Sequence, residues 1–92
     1  MLNHPLDETT ARDLIRDILD EGAILWSGHA EDEMDEDNLE KIDCKNVLRA
    51  GWVEKSEWEN GGWRYHVCSH KLTLIVEFAS ESQLVVVTAW RV

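Results

Sequence analysis

The spacing of apolar residues predicts that the first half of the chain is helical. From Asp7 to Glu21 these residues recur at intervals of three and four, which places them along one side of an α-helix: Ala11, Leu14, Ile15, Ile18 and Leu19. Asp7 or Thr9 can cap the first amides of this helix, and Gly22 marks its end. The apolar run Ala23–Trp26 that follows fits either a brief strand or an extended link.

Two shorter helical segments are predicted next. Ser27 precedes a segment whose carboxylates surround a narrow apolar side, and Asp37 and Asn38 mark its end. Asp43 is a good N-cap for a third helix over residues 44–50. The chain up to this point is therefore expected to consist of helices and links.

After Gly51 the apolar pattern changes to a period of two, which is typical of β-strands. Short clusters of Gly, Asn and Ser separate four such strands, at residues 52–58, 63–68, 71–79 and 83–92. The last two contain long apolar runs, so we expect them to be central and covered by the helices on one face. The pattern predicts the α+β class: two to three N-terminal helices packed on a four-stranded antiparallel β-meander, in a single domain over residues 1–92.

Composition narrows the protein class. The chain has 92 residues, a hydrophobic content of 43% and a formal net charge of -10. It contains no run near the ~20 apolar residues that span a bilayer, and its start lacks the features of a signal peptide. Cys44 and Cys68 lie far apart, the pattern of buried thiols in a reducing compartment. We therefore expect a cytoplasmic protein that uses neither a membrane nor a disulfide framework.

The acidity is concentrated in the helical half. Residues 44–92 carry six bases against five acids, whereas the remaining acids, including a run from Glu31 to Asp37, precede them. A polyanion is bound by neutralising its phosphates with Lys and Arg. RNA is therefore expected to bind the half of the chain that forms the sheet, residues 44–92. A domain of this size buries a limited share of its surface and is expected to be modestly stable, so a partner could stabilise it. We therefore expect complex formation or a homodimer.

Four short stretches, taken together in order and spacing, resemble a family of small bacterial proteins within the RelE-like toxin superfamily, related in shape to the BrnT and MqsR toxins. The first is Ser27-Gly28-His29-Ala30 followed by Met34, and the others are residues 47–54, 63–65 and 86–91. The chain departs from that family at positions after His29 that usually carry Arg, which here are acidic and include Glu33 and Asp35.

The resemblance implies a RelE-like fold and the toxin half of a type II toxin-antitoxin pair. It further implies a messenger RNA endonuclease, acting on free or ribosome-bound RNA and held inactive by a cognate antitoxin. That antitoxin would be of the zinc-finger, helix-turn-helix kind that resembles MqsA. The competing hypothesis is a non-catalytic acidic module with the same fold, which binds or inhibits another protein.

Metal-independent RNA cleavage needs a base for the ribose 2'-hydroxyl, a cation for the charged phosphorane and an acid for the leaving oxygen. We predict that one set of residues, the catalytic group, fills these roles without a cofactor. We predict that a second set, the RNA-binding group, binds RNA. His29 begins a helix, whose positive end favours the neutral imidazole that a base requires. The catalytic group is His29, Arg64, Tyr65, Thr88 and Arg91, and the RNA-binding group is Lys55, His66 and Lys71.

Structural roles compete with each of these assignments. His29 could equally cap its helix, and Arg64, His66 and Arg91 could lie on a solvated strand face. Zinc is not expected at His66, Cys68 and His70, since residues two apart on a strand are ~6.6 Å apart and three cannot meet on one tetrahedral ion. The five tryptophans could stack unpaired bases, but core or interface roles are commoner; we expect Trp58 and Trp63 to pair across a hairpin.

Overall fold

A computed structural model describes residues 2–92 and has three helices and one five-stranded sheet. In chain order the elements are α1 (Glu8–Glu21), β1 (Ala23–Trp26), α2 (Gly28–Glu36), α3 (Lys41–Ala50), β2 (Trp52–Glu59), β3 (Gly62–Cys68), β4 (Leu72–Ser80) and β5 (Gln83–Arg91). No helix among residues 2–92 has the length and apolar character that a bilayer crossing requires.

The sheet is mixed and not a four-stranded antiparallel meander. Its strand order is β1-β5-β4-β3-β2, in which β2 to β5 form the predicted meander and β1 is added in parallel beside β5. The prediction was wrong on this point because β1 has four residues without a clear alternation of apolar and polar side chains. Its pairing with β5, which lies about sixty residues away, depends on tertiary contact and not on local pattern.

The helix caps can be compared with the predicted ones. Asp7, one of the two candidates, caps α1, and the predicted N-cap of α3 is wrong. The Asp7 carboxylate accepts from the Thr10 amide at the start of α1, and Ser27 Oγ accepts from the Ala30 amide at the start of α2. Asp43 is not the N-cap of α3, which begins one turn earlier at Lys41. Glu40 is the N-cap, and Asp43 completes a capping box with it, so its carboxylate binds the Glu40 amide.

All three helices contribute to one core on a single face of the sheet, which we call the helix face. Buried residues from the helices join buried residues from the strands there: Ala11, Ile15, Ile18, Ala30, Met34, Cys44, Val47 and Leu48 meet Val53, Tyr65, Val67, Leu72, Leu74, Val76, Leu84, Val86 and Ala89. Because side chains alternate along a strand, their neighbours Arg64, His66, Ile75 and Glu77 point to the other side, which we call the outer face.

Gly22 ends α1 for a steric reason. Its φ of -108° lies in the ordinary range, but a Cβ at this position would lie 2.3 Å from the backbone oxygen of Ser82. The same Ser82 oxygen accepts from the Ala23 amide, which starts the pairing of β1 with β5. The glycine therefore lets the helix end pass close to the β4-β5 turn.

The segment before α1 is fastened to the core through Tyr65. This side chain is fully buried on the helix face, and its hydroxyl accepts from the Leu6 amide at 2.8 Å and contacts His4 Nδ1 at 2.7 Å. Burial raises the pKa of Tyr65, and the hydrogen bond from the Leu6 amide opposes that shift. The phenol therefore stays neutral and holds the N-terminal segment against the sheet.

We expect Tyr65→Phe to lower the free energy of unfolding by about 1–3 kcal/mol, because it leaves the part-buried Leu6 amide without its acceptor. Urea unfolding measures this. His4→Ala provides a double-mutant cycle, and its effect should be smaller in the Tyr65→Phe background, where only the ring contacts of His4 with residue 65 and Phe78 remain. Equal effects of His4→Ala in both backgrounds would show that the imidazole does not act through this hydroxyl.

Candidate functional site

The predicted site residues fall into separate groups in the structure. Lys55, Arg64 and His66 lie together on the outer face, and His29 and Thr88 meet at the start of α2. Arg91 and Lys71 lie at one end of the sheet. Tyr65 is on the helix face, with its hydroxyl engaged by His4 and Leu6, so the structure separates it from all the others.

The hairpin of β2 and β3 builds the first group. Lys55 pairs with His66 and Glu57 pairs with Arg64 in the antiparallel register, and cross-strand partners point to the same face. Lys55 and His66 are therefore neighbours, with Glu57 and Arg64 one step along the strands. A β-bulge at Glu54 sets this register, because the pairing shifts between Val53 and Lys55.

A carboxylate that the sequence analysis did not single out lies at the centre of this group. Glu57 Oε1 is 2.9 Å from Lys55 Nζ and 3.7 Å from His66 Nε2. Lys55 holds the pKa of Glu57 below its ordinary value by hydrogen bonding and by its charge, and Glu57 in turn raises the pKa of Lys55. Glu57 is therefore ionised at neutral pH.

Arg64 is held in place by carboxylates. Its Nε donates to Glu77 on β4 at 2.8 Å, and Glu59 lies 3.7 Å from its Nη1. The Arg64 side chain is only 18% exposed and that of His66 only 17%, so both are set into the surface. We call Lys55, Glu57, Arg64, His66 and Glu77 the outer-face cluster.

The second group forms where α2 meets β5. Ser27 caps α2 and also donates to the backbone oxygen of Val87, which ties the start of the helix to the strand. Glu33 then reaches His29 one turn back, with 3.1 Å between Oε1 and Nε2, and accepts a hydrogen bond from Thr88. Glu33 therefore joins His29 to Thr88 through a carboxylate.

The register of the strands relates Thr88 of the second group to His66 of the first. His66 pairs with Ile75, and Ile75 pairs with Thr88, so these three side chains form a row across β3, β4 and β5. Neighbouring strands are ~4.8 Å apart, which places Thr88 about 10 Å from His66. The apolar Ile75 thus separates Thr88 from His66 in this row.

Arg91 is engaged in a structural contact. Its guanidinium donates to the backbone oxygens of Asp37 at 2.9 Å and Asn38 at 3.4 Å, the carbonyls that follow α2. Lys71 is close by, since the Val92 amide donates to the Lys71 oxygen. These two residues are separated from the outer-face cluster along the strands.

The remaining sequence predictions concern tryptophans, cysteines and metals. Trp58 and Trp63 are paired across the hairpin with ring centroids 5.7 Å apart, as predicted. Cys44 and Cys68 are both buried and free, and burial raises the pKa of the Cys44 thiol to about 11. Across residues 2–92, no three or more His, Cys, Asp or Glu side chains are grouped so that they could hold a metal ion.

Sequence comparison agrees with the extent of the sheet-bearing region. Residues 26–91 match the model of a protein family described as a domain of unknown function, DUF4258. No curated protein and no solved structure matches the chain. The matched region includes both groups and starts one residue before the Ser27 cap.

We expect Lys55→Met to raise the pKa of Glu57 toward its ordinary value of 4.5, since the hydrogen bond and the charge that lower it are both removed. A carboxyl-carbon NMR titration of Glu57 measures this shift. Lys71→Met is the matched control, because it removes a lysine that has no carboxylate within ion-pair distance in residues 2–92. An unchanged Glu57 titration in Lys55→Met would contradict the pairing.

Proposed function

The chain belongs to the DUF4258 family, and we propose that it is the toxin-like component of a type II toxin-antitoxin pair, an endoribonuclease that needs no metal ion. The observation that carries this proposal is the position of Glu57. Its carboxylate lies within 4 Å of both an amine and an imidazole, beside a guanidinium on the facing strand. A base, an acid and cations for the phosphate are thus present on one surface.

The chemistry assigned to these groups is transphosphorylation. Glu57 takes the proton of the ribose 2'-hydroxyl, and the 2'-oxygen attacks the adjacent phosphorus. The bond from phosphorus to the 5'-oxygen breaks, and protonated His66 donates a proton to that oxygen. The products are a 2',3'-cyclic phosphate and a 5'-hydroxyl, so atoms and charges balance without a further reactant.

Lys55 and Arg64 stabilise the negative charge of the phosphorane. Arg64 is held by Glu77 at 2.8 Å and is only 18% exposed, so little reorganisation is needed when charge develops nearby. Lys55 is exposed, and Glu57 is its one ion-pair partner in residues 2–92, so it can turn toward a phosphate. When it does, the pKa of Glu57 rises toward its ordinary value, which makes the carboxylate a better base at the moment of use.

His29 and Thr88 extend the site and do not perform the central proton transfers. They lie about 10 Å from His66 across the sheet and share Glu33, so they are suited to contact a neighbouring ribose or phosphate. Tyr65 has no part in this proposal because its hydroxyl faces the N-terminal segment.

A second candidate function is favoured by the charge of α2. This helix exposes a series of carboxylates to solvent: Glu31, Asp32, Asp35 and Glu36. The formal net charge of -10 also attracts a basic partner at longer distances than the helix α2 alone would. The chain would then be a non-catalytic acidic module that binds a basic protein. In the leading proposal the same surface offers a docking site for the cognate antitoxin, of the zinc-finger, helix-turn-helix kind.

We expect the purified protein to cleave single-stranded RNA in buffer with a chelator and to leave 2',3'-cyclic phosphate ends. Glu57→Gln and His66→Gln should each lower the rate by about 10²–10⁴-fold, since each removes one proton-transfer group. Glu21→Gln is the control, because this exposed carboxylate lies at the end of α1, outside the cluster. Chromatography of the labelled ends measures both rate and product.

Expression provides a second test of the same proposal. The parent should arrest growth, Glu57→Gln should not, and the adjacent antitoxin gene should relieve the arrest. If the parent neither arrests growth nor cuts RNA, the endoribonuclease proposal is wrong. The acidic-module candidate then predicts that Asp32→Lys combined with Glu36→Lys abolishes binding of the basic partner, and that salt weakens binding of the parent.

A further inference from the structure

A cavity of about 560 Å³ lies at the end of the sheet where β2 begins and β5 ends. Its floor is apolar and includes Leu39, Val47 and Leu72. Its rim carries Trp52 at the start of β2, His70 and Lys71 from the β3-β4 turn, and Arg91 from β5. An apolar floor with aromatic and cationic groups at the rim suits a flat, anionic ligand.

The cations at this cavity differ from those of the outer-face cluster. Lys55 and Arg64 are paired with carboxylates, but in residues 2–92 no carboxylate lies within ion-pair distance of Lys71 or of the Arg91 guanidinium. Arg91 donates to two backbone oxygens through Nε and Nη2, and no described residue accepts from its Nη1. Asp43 is the one acidic residue in the lining, and its carboxylate is bound to the Glu40 amide.

Trp52 offers an aromatic surface beside these cations. It is 41% exposed, although it begins a strand whose next residue, Val53, is buried. The ring of His70 meets it edge-on with 5.3 Å between centroids, which fixes one side of the indole and leaves area free for stacking. An exposed tryptophan next to unpaired cations is the combination found where proteins bind single-stranded nucleic acid.

Trp52 places one wall of the cavity near the outer-face cluster. Trp52 pairs with Cys68, which is two residues from His66 along β3. Two residues on a strand span ~6.6 Å and neighbouring strands are ~4.8 Å apart, so Trp52 is about 8 Å from His66. One RNA strand can therefore contact the cluster and the cavity with adjacent nucleotides.

We propose that this cavity binds an unpaired nucleotide next to the cleaved linkage, with its base against Trp52 and its phosphate at Lys71 and Arg91. This rests on the proposed function, because it assumes that the substrate is RNA. It adds that the substrate must be single-stranded at this position, since a paired base cannot reach the indole.

The test measures binding of a short 2'-O-methylated oligoribonucleotide, which the protein cannot cleave because the attacking hydroxyl is blocked. Trp52→Ala and Lys71→Met should each weaken binding by about tenfold, because one loses stacking and the other a phosphate contact. Trp58→Ala is the matched control: Trp58 is 62% exposed on the same strand, away from the cavity, so its loss should leave affinity unchanged. A perfectly paired duplex of the same sequence should bind more weakly than the single strand.

The outcomes separate this inference from the proposed function. If the oligoribonucleotide binds with the expected dependence on Trp52 and Lys71 while no RNA is cleaved, the cavity assignment stands and the endoribonuclease proposal falls. If RNA is cleaved but neither substitution changes affinity, the cavity assignment is overturned. It is also overturned if duplex and single strand bind equally, or if an acidic peptide binds at Trp52 and RNA does not. Circular dichroism of each variant confirms that the fold is retained.

Discussion

The burial of Tyr65 is the constraint on which the rest of this structure depends. Its side chain is fully enclosed on the helix face, where it contacts Phe78 and holds the N-terminal segment through Leu6. With Tyr65 directed inward, the alternation of β3 directs Arg64 and His66 outward. A shift of one residue would bury both polar groups and expose the phenol, so the core enforces the register that displays the candidate site.

The pairing of charges on the outer face has two consequences for function. Each cation of the outer-face cluster is matched to a carboxylate, so the empty site has little net attraction for RNA. Glu77 orients Arg64, and Glu57 lies beside His66, so the groups that the proposed reaction needs are close together. The proposed substrate must therefore displace Lys55 from Glu57, and in the proposal Lys71 and Arg91 at the cavity around Trp52 contribute the attraction for its phosphate.

Much of the fold could be predicted from local pattern. The helix spacing and the four strands of the meander depend on short-range rules, and the structure confirms them. Of the two candidate caps of α1, Asp7 and Thr9, Asp7 is the one that caps the helix. The first strand could not be assigned because four residues carry too little periodicity. The start of α3 was misplaced because Glu40 and Asp43 both suit a helix start, and only the complete capping box distinguishes them.

The candidate site could be predicted less fully, for identifiable reasons. The alternation of side chains along a strand places Tyr65 opposite Arg64 and His66, and Glu57 on the same face as Lys55, whereas the resemblance groups Tyr65 with Arg64. The separation of Arg91 and Lys71 from the cluster needed the order and register of the strands. The bond between Glu33 and Thr88 joins residues 55 positions apart and has no local signature.

The central claim is that Glu57 and His66 exchange protons with RNA in a site that needs no metal. The dependence of kcat/KM on pH, measured with a chelator present, tests it most directly. We expect a bell-shaped profile, whose acidic limb disappears in Glu57→Gln and whose alkaline limb disappears in His66→Gln. A profile with the same limbs in both variants, or activity that is lost with the chelator, would contradict it.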